Sequence, residues 1–172
     1  SLKNMEPHST VWISIPVSLS CQLEIVVVGI DISEKMLEIA RNESAHEKIR
    51  YINMSITDIV NLNEHFDFIY SSLAFHYVRD FDAFAKAMYS VLNKGGHLLF
   101  SQEHPIITST VDGKGHFNKD ENGNRISYTF SDYNRSGERK VHWYVDGVIK
   151  YHRTFSDIIN ALVKAGFRIE EV

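Results

Sequence analysis

The sequence predicts an α/β domain built on a doubly wound, mostly parallel sheet, and three features carry that expectation. The run LEIVVVGID, from Leu23 to Asp31, is continuously apolar and β-branched, the pattern of a strand buried on both faces of a parallel sheet. Strand-like and helix-like segments alternate after it, with connections long enough for crossovers. At 172 residues with 44% hydrophobic content, the chain suits one globular domain over 1–172 with a core of ordinary size.

The elements follow in order. After the first clear strand, Ser33 caps a short amphipathic helix whose Met36, Leu37 and Ala40 fall at helical spacing. IRYINM at 49–54 reads as a second strand and FDFIYSS at 66–72 as a third, with polar, helix-poor sequence between them. Phe81, Phe84, Ala85, Met88, Val91 and Leu92 recur at three- and four-residue steps and predict a helix over 81–92, stopped by Gly95-Gly96. HLLFS at 97–101 is then a fourth strand. From Gln102 to about Lys140 the chain is polar and punctuated by glycine, an excursion outside the core that extends to about 153. Within it, WYVDGVIKY reads as a hairpin turning at Asp146-Gly147. Ser156 is the expected cap of a last helix that turns Ile158, Ile159, Leu162 and Val163 inward; Gly166 ends it, and FRIEEV forms a final strand.

Composition narrows the function. Lys plus Arg number 18 against 22 Asp plus Glu, a formal net charge of -4 that argues against a nucleic-acid or anionic-membrane partner and favours a small molecule. Cys21 is the only cysteine, which excludes an internal disulfide framework and a thiolate zinc site and suits a cytoplasmic setting. No apolar run is long enough to span a bilayer. TVWISIPVSLSC has a faint likeness to a secretion signal, but Lys3 alone supplies positive charge before it and Glu6 offsets that. The three glycosylation-like tripeptides, at Asn42, Asn53 and Asn134, need a secretory route and are discounted.

Four segments, VVVGIDISEKMLEIA, FDFIYSSLAFHYV, VLNKGGHLLFSQEHP and YHRTFSDIINALVKAGFRIEEV, stand in the order and spacing of the later motifs of one family. They resemble class I S-adenosylmethionine-dependent methyltransferases of the small-molecule type, and the likeness runs from about Ile25 to Val172. The resemblance implies a Rossmann-like methyltransferase fold, S-adenosylmethionine as cofactor and methyl transfer to a small molecule. In that family an acidic residue ending the second strand holds the ribose hydroxyls, and Asp31 stands there. A carboxylate only accepts hydrogen bonds and can take both hydroxyl protons at the carboxyl edge of such a sheet. The plainer reading is that Asp31 starts the helix capped at Ser33. Ile32 would flank adenine or serve as a core contact. Where the family commonly offers a carboxylate to the adenine amino group this chain has Ser55, with the Ile56 backbone N–H and Asp58 as further candidates; a solvated loop role suits Asp58 equally. Ser71, Ser72 and Leu73 match the strand end that passes the methionine moiety.

His76 and His104 are the candidate catalytic residues. Each follows a strand at its carboxyl end, and a neutral imidazole can orient or deprotonate a substrate. Capping or packing is the alternative for both. Phe117, Tyr128, Tyr133, Trp143, Tyr144 and Tyr151 form an aromatic set that would line an acceptor pocket or a small satellite core.

One family feature is missing. The Gly-rich turn after the first strand lets the cofactor approach a helix N-terminus, and the first glycine here is Gly29, already inside a strand. TVWISIPV at 10–17 can form a strand, but SLSCQ is too short for a parallel crossover into LEIVVV, so an antiparallel partner is expected. The family's seventh, antiparallel strand would also follow Val172. An unfilled central gap would expose apolar surface and open strand edges, to be closed by the N-terminal segment or by a partner chain, which leaves a homo-oligomer open. An incomplete fold and weak cofactor binding are therefore expected. Two other functions compete: a non-catalytic methyltransferase-like module for binding or dimerisation, and a nicotinamide dehydrogenase, disfavoured because G-x-G-x-x-G is absent.

Overall fold

The structure, a computed structural model, describes residues 11–17, 24–111, 115–143 and 145–172. The chain groups into two compact units, one containing His8–Phe75 and Asp82–Gln102 and the other His76–Phe81 and Glu103–Val172.

The first unit is built on a five-stranded sheet. Its strands are β1 (Val11–Val17), β2 (Glu24–Asp31), β3 (Ile49–Asn53), β4 (Phe66–Ser72) and β5 (Leu92–Ser101), in the spatial order β3-β2-β1-β4-β5. Helix α1 (Glu34–Glu43) connects β2 to its parallel neighbour β3, and α2 (Phe81–Ser90) lies between the parallel pair β4 and β5 in sequence. β1 pairs antiparallel with β2 on one side and β4 on the other. The other four strands therefore run one way, so the sheet is mostly parallel with a single reversed strand at its centre.

That reversal answers the missing crossover. Val11–Val17 pairs with β2 from Val11↔Ile30 to Val17↔Glu24 and with β4 from Val11↔Ser71 to Ser14↔Phe68. The N-terminal strand thus occupies the gap and supplies ladder partners to two strands that would otherwise present open edges. The expected antiparallel pairing is observed.

Periodicity explains the packing. Ser33 accepts the Met36 N–H and caps α1, which buries Leu37. In α2, Phe84, Ala85 and Met88 are buried, and Phe75 sits between Phe84, edge-on at 4.8 Å, and Phe100, stacked at 4.5 Å. Burying each such ring contributes roughly 1.5–3 kcal/mol. The stretch between β3 and β4 is more ordered than expected: Ile56–Leu62 winds as a 3-10 helix on the fully buried Ile59.

The expected helix over 81–92 is two residues too long, since α2 ends at Ser90 and Leu92 opens β5. Gly95-Gly96 is not a helix stop. Both glycines lie within β5, where the register with β4 slips between Phe66↔Leu92 and Phe68↔His97. Gly95 takes φ +84°, and a Cβ on Gly96 would sit 3.0–3.1 Å from the carbonyl oxygens of Asn93, Asp67 and Phe66. Glycine is needed there to let two backbones approach.

The second unit holds α3 (Pro105–Thr108), two hairpins and α4 (Phe155–Ala165). The hairpin of β6 (His116–Lys119) and β7 (Arg125–Thr129) was not apparent in the polar sequence. It turns on Asp120, whose Oδ1 accepts from the N–H groups of Asn122 at 2.9 Å and Asn124 at 2.8 Å. The expected hairpin exists as β8 (Gly137–Trp143) and β9 (Val145–His152), but Trp143 already pairs with Val145. Asp146-Gly147 therefore lies inside β9, where the register shifts and Gly147 takes φ +82°, the geometry of a bulge rather than of the turn.

Thr154, not Ser156, caps α4. It forms a capping box with Asp157, and Ser156 falls in the first turn. Ile158, Ala161 and Leu162 are buried while Val163 is 54% exposed, because the inward stripe passes through position 161. Gly166 ends the helix at φ +113° as expected. FRIEEV is not a strand: the Phe167 N–H turns back to the Leu162 carbonyl at 3.1 Å, closing the helix end, and residues 167–172 join none of the described sheets.

Candidate functional site

The carboxyl ends of the four parallel strands form one edge, and the residues there are acidic or small and polar. Asp31 ends β2 opposite Asn53 at the end of β3, and Ser72 ends β4 opposite Ser101 at the end of β5. Val11 begins β1 between them, in register with Ile30 on one side and Ser71 on the other. Side chains alternate along strands, so Asp31, Asn53, Ser72 and Ser101 share one face at this edge and Ile30, Ser71 and Phe100 the other. Carboxyl edges at the centre of such sheets are where ligands bind.

Asp31 is buried, at 4% exposure, and its Oδ1 accepts the Ser33 N–H at 2.8 Å. The Asn53 amide donates to the Asp31 carbonyl at 3.2 Å and the Ile32 carbonyl at 3.0 Å, fixing the turn that leaves β2. Ile32 stands 64% exposed. Ser55 caps the 3-10 helix by accepting the Thr57 N–H at 3.3 Å, and its hydroxyl shares a hydrogen bond with Thr57 Oγ1 at 2.7 Å. Ile56 is half-buried, and the exposed Asp58 donates its N–H to the Ser55 carbonyl at 3.0 Å.

Across the edge, Leu73 adopts φ +54°, a conformation uncommon outside glycine, and is held there by Ser101. Its N–H donates to the Ser101 carbonyl at 2.9 Å and to Ser101 Oγ at 3.3 Å, while the Ser72 and Ser101 hydroxyls lie 3.4 Å apart. Ser71 is fully buried, and among the described residues its Oγ has no hydrogen-bond partner. Asn53 and Ser101, which stand beside these candidates at the edge, were not singled out in the sequence. Ser101 is the last residue of the strand expected over 97–101, whereas Asn53 is the next to last of the one expected over 49–54 and became a strand end only through the observed bounds of β3.

The two candidate histidines belong to the second unit. His76, 4% exposed, accepts the Glu103 N–H on Nδ1 at 3.4 Å and lies against Tyr77, ring centroids 4.2 Å apart. Burial lowers its pKa to about 4; Glu103 opposes that shift, and Lys150 and Arg153 add to it. Burial likewise raises the Tyr77 phenol to about 12. The exposed His104 caps α3, accepting the Ile106 N–H on Nδ1 at 3.2 Å. Both rings thus use one nitrogen to satisfy a backbone amide.

Beside His76 lies an ion pair that the sequence reading did not single out, between Lys150 Nζ and Glu103 Oε1 at 2.5 Å. Lys150 is 4% exposed in its side chain, and Glu103 Oε2 is buried without a hydrogen-bond partner among the described residues. Three described members of the aromatic set belong to one chain of rings: Phe117 pairs with Tyr128 at 4.8 Å, Phe130 meets Tyr128 and Tyr133 at 6.3 Å each, and Tyr133 meets His152 at 5.8 Å. Tyr151 accepts from Arg79 Nε at 3.2 Å. The side chains of Trp143 and Tyr144 fall outside the described residues. No group of three or more metal-ligating side chains occurs among the described residues, and no helix is long and apolar enough to cross a membrane.

An α/β sheet with strand order 3-2-1-4-5 and an acidic residue ending the strand beside its centre defines a nucleotide-type cofactor fold. The methyltransferase domain family matches residues 15–100, and the chain belongs to that family. It is 36% identical over 152 residues to an uncharacterized protein of Haemophilus influenzae, covering 85% of this chain and 59% of that one. Of solved structures, one from Listeria monocytogenes matches with TM-score 0.74 and 34% identity over 84% of this chain and 67% of its own. An S-adenosylmethionine-dependent methyltransferase from Mesorhizobium loti matches with TM-score 0.70 and 36% identity over 84% of this chain and 64% of its own. The chain spans well under two thirds of the Haemophilus relative's length.

Proposed function

We propose that this chain takes part in S-adenosylmethionine-dependent methyl transfer to a small molecule and carries the ribose- and adenine-facing part of the cofactor site. The observation that carries the reading is Asp31, a buried carboxylate at the carboxyl end of β2 in a chain of the methyltransferase domain family. A carboxylate fixed by the Ser33 N–H is oriented in advance to accept ribose hydroxyl protons. Ile32, exposed beside it, offers an apolar face to adenine, and the backbone around Ser55 and Ile56 offers polar atoms.

The rest of the edge fits the polar end of such a ligand. Ser71, Ser72 and Leu73 stand at the end of β4, and the unpartnered Ser71 hydroxyl is a polar group that a ligand or water would satisfy. When bound, the sulfonium cofactor supplies an already activated methyl group. The protein's part is then to bind and align, which few dedicated side chains can do. His76, neutral at physiological pH and carrying its proton on Nε2, suits orientation of a substrate by donation; His104 keeps the open roles of orienting group or cap. The net charge of -4 supports a partner other than nucleic acid, and the single cysteine supports a cytoplasmic setting.

The test is a titration of the 15N-labelled chain with S-adenosylmethionine. Shifts concentrated on Asp31, Ile32, Ser33, Ser72 and Leu73 are expected. Stronger shifts with a nicotinamide dinucleotide, or none with either ligand at millimolar concentration, would overturn the reading.

A further inference from the structure

We propose that Glu103 is the recognition residue for the methyl acceptor and that the acceptor it selects is a neutral hydroxyl compound, an inference that rests on the methyl-transfer reading above. The observation is a buried cluster in the second unit with one open valence. Glu103 Oε1 is taken by Lys150 Nζ at 2.5 Å, while Oε2 is shielded from solvent with no hydrogen-bond partner among the described residues. A buried carboxylate oxygen without a donor is costly, and native proteins satisfy such an atom with a ligand or an ordered water.

The neighbours define what that ligand is. His76 accepts the Glu103 N–H on Nδ1, so the neutral ring carries its proton on Nε2 and is a donor there. Lys150 Nζ is a second donor and lies 6.0 Å from the Tyr77 ring centre. The cluster therefore combines one acceptor, Oε2, with cationic and neutral donors beside an aromatic face. A hydroxyl matches this set because it donates once and accepts on two lone pairs. An ammonium group has only donors and would meet the charge of Lys150. A carboxylate has only acceptors and would meet the charge of Glu103.

The test uses three ring compounds of similar size that differ in the polar group: phenol, benzylammonium and benzoate, each titrated into the full chain at pH 7 and followed by NMR. Phenol should bind with the other two markedly weaker, and Glu103→Gln should weaken phenol by about fivefold or more, the counterpart of losing one good hydrogen bond. Because Glu103→Gln leaves a buried ammonium uncompensated, the double variant Glu103→Gln/Lys150→Met is measured beside it, as this removes both charges together. It should melt near the parent and still bind phenol poorly. Benzoate or benzylammonium binding as tightly as phenol, phenol binding unchanged in the double variant, or no phenol binding at about 10 mM would overturn the proposal. S-adenosylmethionine titrated into the same samples separates the two readings. Phenol recognition with no cofactor binding would leave the hydroxyl site standing and remove the methyl-transfer assignment.

Discussion

Asp31 and Asn53 face each other across the β2–β3 pair, and the Asn53 amide closes on the carbonyls of Asp31 and Ile32 at 3.2 and 3.0 Å. The Asp31 carboxylate therefore projects from a turn clamped at both ends, by Asn53 on the backbone and by the Ser33 N–H on Oδ1. If it holds ribose hydroxyls, Asp31→Ala should weaken S-adenosylmethionine binding by about 1–3 kcal/mol, the range for charge-assisted hydrogen bonds. An NMR titration measures this, and an unchanged dissociation constant would remove Asp31 from the site.

Close backbone approach at Gly96 predicts a stability effect far from any ligand. A Cβ there meets three carbonyl oxygens at 3.0–3.1 Å, and backbone cannot rotate away as a side chain would. Gly96→Ala should destabilise the chain by about 1–3 kcal/mol, as overpacked positions do. Denaturant melts of the variant and parent check it, and an equal midpoint would show that the β5 bulge adjusts freely.

These elements show what the sequence could and could not reveal. The β2 and β4 runs, the α1 cap at Ser33 and the edge residues Asp31 and Ser72 were legible because each rests on local signals: a β-branched run, a capping serine, a strand end. Gly95-Gly96 was misread because the same dipeptide serves as a helix stop or a bulge, and only pairing with β4 decides between them. The Glu103–Lys150 pair was invisible for a similar reason. Its partners stand 47 positions apart, and nothing in their local sequence marks either as buried. β1 was legible in direction, from the length of its connection, while its place between β2 and β4 was one of two ways of closing the central gap that the sequence left open.

The start of α4 separates two caps by a single substitution. Thr154 accepts the Asp157 N–H at 3.1 Å and Asp157 returns a bond to the Thr154 N–H at 3.0 Å, whereas Ser156 is an exposed first-turn residue. Thr154→Ala should cost about 1 kcal/mol and Ser156→Ala within about 0.5 kcal/mol of nothing. Equal losses, or the larger loss at Ser156, would contradict the observed cap.

Acid should weaken the fold through His76. Its folded pKa of about 4 lies below the ordinary 6.5, so the unfolded chain binds a proton that the folded chain refuses between those values. Stability contributed by the neutral ring is complete above pH 6.5, falls as pH drops toward 4, and amounts to about 3 kcal/mol in all. Burial also lowers the pKa of His152, which pushes in the same direction. Denaturant midpoints from pH 7.5 to 4.5 should fall, and His76→Gln should flatten the slope. An identical slope in the variant would show that His76 does not carry the acid sensitivity.

The chain itself should bind S-adenosylmethionine weakly. In a parallel strand, the carboxyl end leads through a turn into a helix whose first N–H groups can meet an anionic ligand, and glycines give that ligand room. Here the central strand β1 runs the other way, so its first residue, Val11, stands at that edge in register with Ile30 and Ser71. No glycine occurs before Gly29 in the sequence to provide such a turn. On the adenine side, the Ser55 hydroxyl already binds Thr57 at 2.7 Å and stands where the family commonly has a carboxylate. Losing two or three polar contacts at roughly 1–3 kcal/mol each carries a micromolar site into the millimolar range. Calorimetric titration of the 172-residue chain measures this directly. A dissociation constant of about 10 μM or lower would sink the prediction, because the roughly 3 kcal/mol that separates such a site from a millimolar one would then have to come from the reversed strand and its flanks.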